Sequence, residues 1–545
     1  MHYEAGRLAD AERLYRELLR ERPEFVEARF NLGNVLHDLN AFDEARECFR
    51  RVLEARPDHP DVLLGLGRVE YQCGNYPRAQ EHFQRALALQ PEFPEAWLNL
   101  GLTHMARQRP EEALACYGQA LEQRPDYRNA LLSSAYVYEV QGKRAEALGM
   151  YEQLLALRPD DPAVLNAAGV ALSALGRHTE AQRHLERALE FDDTFVDARY
   201  NLGFVHQGRN SYEAALECYD AVLQRAPSHT EAAWGRAISL LGSGDFQRGW
   251  PAYEARQAIK VARGRPEKPD IAVPMWAGEP LAGKRILLIG EQGAGDHIQF
   301  VRYAGELARQ GAQVDVLTDP RLERLLATAP GVARTVGKLP VTTASSYDYW
   351  AFLMSLPGRL GTVLESIPAD VPYVTPPEPA ARRWERRLRL LADDEPKVGL
   401  AWQSGNAHHV WMEYRDMPFE TLLPLAEVPD VSFVGVQFGG AAAGTFPGLD
   451  VGREIGDFAD HAALLSNLDL LITVDTVTAH LGGALGIPTW VMLPTCADWR
   501  WMRERSDSPW YPSMTLLRQR KLGDWAPVVE EAAEKLRAFA ARQGV

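Results

Sequence analysis

Cysteine is scarce in this chain, with five in 545 residues and no CxxC pair. That argues against a disulfide framework and against the common zinc modules, and it points to a reducing, cytoplasmic location. Cys48, Cys116 and Cys218 stand at multiples of 34 residues, so they read as one repeated core position. No apolar run approaches the roughly 18 residues of a membrane helix. The start, Met1-His2-Tyr3-Glu4-Ala5-Gly6-Arg7, has no basic segment followed by an apolar one, so no signal peptide is read. Bases are outnumbered, with 59 Lys and Arg against 74 Asp and Glu and a net charge of −15. Neither half carries the basic excess that nucleic acid or an anionic membrane would favour. The apolar share, 46%, is enough for ordinary cores. The length allows about three domains.

What is present first is repetition. Gly33, Gly67, Gly101, Gly169 and Gly203 share a 34-residue register, with Ala135 in the gap. Ala45, Ala79, Ala113, Ala147, Ala181 and Ala215 follow in step. A large residue comes four positions later: Phe49, Phe83, Tyr117, Tyr151, Leu185 and Tyr219. Pro57, Pro91, Pro125, Pro159 and Pro227 close the units. Each unit reads as two amphipathic helices. Small residues sit where the helices cross, a ring fills the gap, and proline stops the second helix. The full units run 26–59, 60–93, 94–127, 128–161, 162–195 and 196–229. The chain begins inside a further unit, of which Ala11, Tyr15 and Pro23 fit the second helix. The stretch from Thr230 to Lys260 is a degenerate unit, expected to cap the stack against the next domain. The array is expected over residues 1–261 and a Pro- and Gly-rich connector over 262–283, with Met275-Trp276 docking on the adjoining domain.

From Lys284 the pattern changes to short apolar strands alternating with helices. Strands are expected near 285–290, 313–317 and 348–353, then near 397–402, 431–437, 470–474 and 489–493. This predicts two α/β domains facing one another, 284–380 and 381–545, with ligands at the carboxyl ends of the strands.

Four motifs fall at those ends. Gly293-Ala294-Gly295-Asp296 follows the first strand, but Ile298 stands where a dinucleotide fingerprint needs its third glycine, and no Gly-Lys-Ser/Thr follows. The glycines let backbone approach a ligand closely. Asp296 reads either as a helix cap or as a functional carboxylate. Asp475-Thr476-Val477-Thr478-Ala479-His480 opens a helix after an apolar strand, where free N–H groups and hydroxyls suit phosphate. The alternative is a capped structural helix with a buried His480. Ser404-Gly405-Asn406 is the matching loop of the second domain, with Arg415 a cation further on. The aromatic loops Asp498-Trp499-Arg500-Trp501 and Asp507-Ser508-Pro509-Trp510-Tyr511-Pro512 form a rigid wall that either stacks on a ligand or packs an interface.

The 34-residue register resembles the tetratricopeptide repeat. Asn31, Asn99 and Asn201 recur at one repeat position, where the similar repeats of O-GlcNAc transferases carry an asparagine ladder. An Asn side chain pairs with an extended backbone whatever its sequence. The ladder is broken here by Gly65, Ser133 and Ala167. The runs EQGAGDHIQFVRY, ITVDTVTAHLGGALGIPTWVMLP, DWRW and DSPWYP together resemble bacterial fusions of such repeats to a two-domain, GT-B type glycosyltransferase related to the family 9 heptosyltransferases. The resemblance implies an inverting, metal-independent transferase with a nucleotide sugar as donor and no cofactor. Its acceptor would be a protein or peptide held by Asn31, Asn99 and Asn201 on the concave face. Related fusions imply flagellin or another surface protein. Asp296 matches the general base. The donor would meet Gln292, Gly293, Gly295, Ser404, Asn406, Arg415, Gln437, Asp475, Thr476, Thr478 and His480. One departure stands out: Val410 occupies the position of a related lysine, which leaves His408, His409 and Arg415 as substitutes. A homodimer through the repeats is compatible with this organisation. The rival reading is a non-catalytic adaptor with a degenerate transferase domain.

Overall fold

The computed structural model describes residues 8–258, 273–337, 346–392, 395–404, 415–440 and 446–543. The first half of the expected connector, together with Gly405, Asn406, His408, His409 and Val410, lies outside the described residues.

Among the described residues fifteen helices lie between Leu8 and Tyr253. They come in pairs, for example Val26–Asp38 with Phe42–Ala55 and Pro60–Gln72 with Tyr76–Leu89. The expected proline falls two residues beyond the second helix in each, as at Ala55 and Pro57 or Leu89 and Pro91. A second periodic signal closes the first helix. Asn40, Gly74, Gln108, Gly142, Gly176, Asn210 and Gly244 all have φ between 57° and 87° and again share the 34-residue register. Such a left-handed residue turns the chain and satisfies the last carbonyls. In the second full repeat Gly74 N–H donates to Tyr71 O and Asn75 N–H to Glu70 O.

The small and large register positions meet as expected. A Cβ on Gly33 would lie 2.7 Å from the Phe49 ring, and Gly67, Gly101 and Gly203 stand against Phe83, Tyr117 and Tyr219 in the same way. Two of these rings also touch the next repeat, since Gly65 faces Phe49 and Gly235 faces Tyr219. Burying such a ring contributes about 2 kcal/mol, and here it joins one unit to the next. Cys48, Cys116 and Cys218 are all buried.

The chain divides into two compact units, 1–198 and 199–545. This division falls inside the expected array, short of its end at 261. The reason lies in the last repeats. Phe246, Trp250 and Tyr253 share one core with Phe300, Trp499 and Trp510 of the α/β region. The Trp250 indole donates to Thr362 O at 3.0 Å. The degenerate repeat caps the array by being built into the next fold.

The second unit holds two parallel sheets. The first contains β1 (Arg285–Ile289), β2 (Gln313–Leu317), β3 (Val332–Val336) and β4 (Tyr349–Phe352), in the order β3-β2-β1-β4. The second contains β5 (Lys397–Ala401), β6 (Ser432–Gly435), β7 (Leu449–Asp450), β8 (Leu470–Val474), β9 (Thr489–Leu493) and β10 (Met514–Arg518), in the order β10-β9-β8-β5-β6-β7. The central strands read as unbroken apolar runs because helices or loops cover both faces. All five residues of β8 are buried. The sequence pattern missed β3, β7 and β10, and all three are edge strands. β3 is half exposed and β7 has two residues, so neither carries a continuous apolar run.

Five helices position the site: α1 (Ala294–Phe300), α2 (Glu378–Leu388), α3 (Phe458–Leu465), α4 (Val477–Ala484) and α5 (Ala526–Gln543). α2 crosses the expected boundary at residue 380. Its Trp384 indole donates to Asp460 of α3 at 2.9 Å, which ties it to the second sheet's layer. α5 and Trp525 just before it cover one face of the second sheet, where Trp525, Val528 and Leu536 share a core with Val398, Leu470 and Ile472. Over the first sheet the connector docks as expected. Trp276 is buried, and its N–H donates to Trp350 O at 2.8 Å.

Candidate functional site

Strand order reverses beside β5. The chain lays β6 and β7 on one side of it and β8, β9 and β10 on the other. The crevice at such a reversal is where open α/β sheets bind ligands. Ser404 follows β5 and Asp475 follows β8, so two of the four motifs flank this point. The Gly-rich loop after β1 faces them, because α1 packs on α4.

That packing changes the meaning of one glycine. A Cβ on Gly295 would lie 2.6 Å from His480 Cδ2. The space Gly295 leaves open is taken by an imidazole, where the sequence led us to expect close approach of a ligand. Gly293 has φ −88°, which any residue adopts, and is exposed. Gln292 is the unusual residue of the loop, with φ +64° in a side-chain-bearing residue. Glu291 before it is buried and takes three bonds from Arg256, the shortest 2.6 Å. Arg256 also donates to Glu254 at 2.6 Å and to Ser355 Oγ at 2.7 Å. Burial pushes the Glu291 carboxyl up, and the Arg256 guanidinium opposes it. The degenerate repeat thus reaches the end of β1 through a buried ion pair.

Asp296 is both cap and ion-pair partner. Its Oδ2 accepts from Gly293 N–H at 2.8 Å, and its Oδ1 is bonded by Arg500. Arg500 also donates to Asp498 Oδ1 at 2.8 Å and to Gln299 Oε1 at 2.6 Å. Arg415 continues the chain of charge, with Nε 3.4 Å from Asp475 Oδ2 and Nη2 3.9 Å from Asp498 Oδ2. Three carboxylates and two guanidiniums are collected here from loops far apart in sequence. Burial pushes the Asp475 carboxyl up, with Asp498 adding to it and Arg415 opposing. Burial acts the same way on Asp498, but Arg500 and Arg415 outweigh it and hold that carboxyl low. Burial would lower the Arg500 guanidinium, yet Asp498 and Asp296 keep it above its ordinary value.

The other expected residues are spent largely on the protein. Thr476 caps α4, its hydroxyl accepting from Thr478 N–H at 3.2 Å. Thr478 is buried. His480 pairs with the Tyr511 hydroxyl at 3.0 Å and stacks on Trp501, and burial pushes its imidazole down to about 3. Ser404 directs both its N–H and its hydroxyl to Asp416 at 2.7 Å. Gln437 accepts from Trp402 N–H and Gln403 N–H and donates to Gln403 O at 2.9 Å, so it holds the loop after β5. Trp499, Trp501, Trp510 and Tyr511 are all buried. Of the two readings of the aromatic loops, packing is the one their burial supports. In the array Asn31 is exposed. Asn99 donates to Glu95 O of its own helix at 2.7 Å. Asn201 is half buried and has a partner.

Sequence reasoning missed Arg500, Asp498, Glu291, Arg256 and Asp416 as members of these networks. Arg500 and Asp498 were visible inside the DWRW run, but its tryptophans drew the reading toward a wall. Arg256 carried no signal, because its partner is supplied by a different fold element.

With this geometry in place, the class of the first half is defined. Residues 2–60, 38–78, 64–128 and 101–162 match one tetratricopeptide repeat model, and 141–203 and 172–238 match another. The chain therefore carries an α-solenoid of tetratricopeptide repeats, an arrangement that suggests a protein-interaction scaffold, followed by an α/β region with parallel sheets. It is similar to Protein FlbA of Caulobacter vibrioides, 28% identical over 393 residues. The match covers 65% of this chain and spans 64% of the length of that relative. Among solved structures it is similar to YrrB, a TPR protein with an unusual peptide-binding site. That match is 21% identical with a TM-score of 0.32 and covers 34% of this chain and 96% of YrrB. A thermophilic TPR protein of Thermus thermophilus matches at 26% identity and a TM-score of 0.27, over 33% of this chain and 98% of that one. Among the described residues no helix is long and apolar enough to cross a membrane.

Proposed function

We propose that this chain is an inverting, metal-independent glycosyltransferase that moves a sugar from a nucleotide sugar to a hydroxyl of a protein acceptor recognised by its repeats. In this reading the two sheets form a GT-B type pair working in the cytoplasm. The observation that carries it is the placing of Asp296, a partly exposed carboxylate, against the loops at the strand-order reversal of the second sheet. Asp296 takes the proton of the acceptor hydroxyl as the oxygen attacks the anomeric carbon. The nucleotide leaves with the bonding electrons, and the α4 N-terminus and Arg415 stabilise its phosphate charge. The test is Asp296→Asn in the full chain, which should lower kcat by about 10²–10⁴ with folding intact. Transfer as fast as the parent's would remove the base from the proposal.

One observation favours the adaptor reading. Both Asp296 oxygens, the Ser404 hydroxyl and the Gln437 amide are bonded within the protein. Thermal melts against a panel of UDP-, GDP-, CMP- and ADP-linked sugars separate the two. A transferase is stabilised by at least one member, and an adaptor by none.

A further inference from the structure

Among the described residues Arg500 grips the proposed base from the other sheet's layer. Its three nitrogens go to three acceptors: Nη2 to Asp296 Oδ1, Nη1 to Asp498 Oδ1 at 2.8 Å, and Nε to Gln299 Oε1 at 2.6 Å. Its backbone N–H adds a bond to Asp498 Oδ1 at 3.1 Å. The guanidinium plane lies against Trp499 and Phe300, with ring centroids 4.6 and 5.7 Å away, and the residue is 6% exposed. A planar fork with each arm on a different acceptor has one orientation available. Asp296 is then fixed from both sides, by its own Gly293 N–H through Oδ2 and by Arg500 through Oδ1. One fixed carboxylate rotamer is what a base needs to meet an incoming hydroxyl, because small misplacement costs large factors in rate.

We propose that Arg500 is a positioning residue that locks the Asp296 carboxylate in its working orientation, with Gln299 and Asp498 holding Arg500 in turn. This rests on the reading of Asp296 as base, and a double-mutant cycle separates the two. A lysine replaces Arg500 only in part, because one ammonium cannot serve three acceptors set in a plane. Gln299 matters for the same reason, since its amide oxygen fixes the angle of the fork.

The cycle is run in the full-length protein with two readouts. The first is nucleotide release from the sugar nucleotide of the panel that stabilises the parent. The second, which needs no activity, is hydrogen exchange of the 290–297 segment, whose Gly293 amide is covered by Asp296. Arg500→Gln should lower kcat by roughly 100-fold while KM for the donor stays within about twofold, and Arg500→Lys should recover part of the loss. In the Asp296→Asn background the same change should cost nothing further. Exchange of the segment should quicken by about tenfold in Arg500→Gln. Should Arg500→Gln fail to fold, Gln299→Met removes one arm's acceptor at constant volume and should give a smaller effect of the same kind. Unaltered exchange, or an equal loss in both backgrounds, overturns the proposal and leaves the base reading standing. Asp296→Asn as fast as the parent removes the base reading, and the proposal with it.

Discussion

Gly33 and Gly295 each leave out a Cβ so that a ring can come close, Phe49 in one case and His480 in the other. The first pair lies within one repeat, at a spacing that recurs down the array. The second joins two helices of the α/β unit, α1 and α4, that follow strands of different sheets. In the repeats a contact is a local rule applied many times. In the α/β unit each contact is made once, between distant segments, and nothing periodic announces it. The buried charges follow the same division. Most ion pairs among the described residues of the first unit lie on helix surfaces, as for Arg16 and Glu44, and Arg46 reaching the buried Glu70 is an exception. In the second unit Arg256 with Glu291 is buried at the end of a strand, and a buried Arg500 meets the partly exposed Asp296.

The largest effect should come from breaking that second kind of contact. Arg256→Met leaves Glu291 buried and unpaired and should cost the 199–545 unit about 3–5 kcal/mol, read by chemical denaturation. Adding Glu291→Gln should recover most of it. If the single change cost nothing, the pair would belong with the surface ion pairs and the contrast would fail.

Next come the two glycines. Gly295→Val places methyl groups into the His480 ring and should cost about 2–3 kcal/mol, with partial recovery in His480→Ala. Gly33→Val should cost a similar amount in the array and be relieved by Phe49→Leu. Equal costs would confirm that the packing physics is shared and only the sequence spacing differs. A free Gly295→Val would show that α1 and α4 are not held together in solution.

Acid should sharpen the comparison further. Burial pushes His480 down to about 3 and His461 down to about 4. A histidine held low in the fold binds protons more readily when unfolded. Stability is therefore full above the ordinary value near 6.5 and is lost as pH falls toward the folded one. Each should remove about 2 kcal/mol by pH 5, measured as a falling melting temperature of the second unit. Asp475 acts in the opposite sense, because its carboxyl is pushed up, and so offsets part of the loss as pH falls. Replacing His480 with Gln should flatten the pH 5–7 limb.

The smallest effect is expected at Asn99. Its amide is bonded to Glu95 O in its own helix, so Asn99→Ala should change array stability by less than about 0.5 kcal/mol. Peptide binding measured by calorimetry then decides whether its remaining oxygen serves a partner.

Much of the fold could be read without coordinates. The repeat units, the stop by proline, the ring against glycine, the central strands and the docking of Trp276 follow from periodicity and from apolar runs. The left-handed turn residues were equally periodic but were hidden by being Asn, Gly or Gln in turn. Edge strands β3 and β7 escaped because a half-exposed or two-residue strand carries no unbroken apolar run, and β10 because Thr515 interrupts its short one. In the candidate site the loops were legible as loops, and the structure gathers Asp296, Arg415 and Asp475 into one network of charge. What each one touches was not legible. Arg500 and Asp498 looked like part of an aromatic wall, and Gln437 and Ser404 turned out to brace the protein.

The sequence by itself determined the helices of the array, their register and the run of parallel strands, because these depend on spacing along the chain and on which residues avoid water. Only the tertiary structure decided that the last repeats belong to the α/β unit, that the Gly295 gap is filled by His480, and that Arg500 reaches Asp296. Those are pairings between segments brought together by packing, and a buried charge or a missing Cβ is defined by its partner, which no local pattern names.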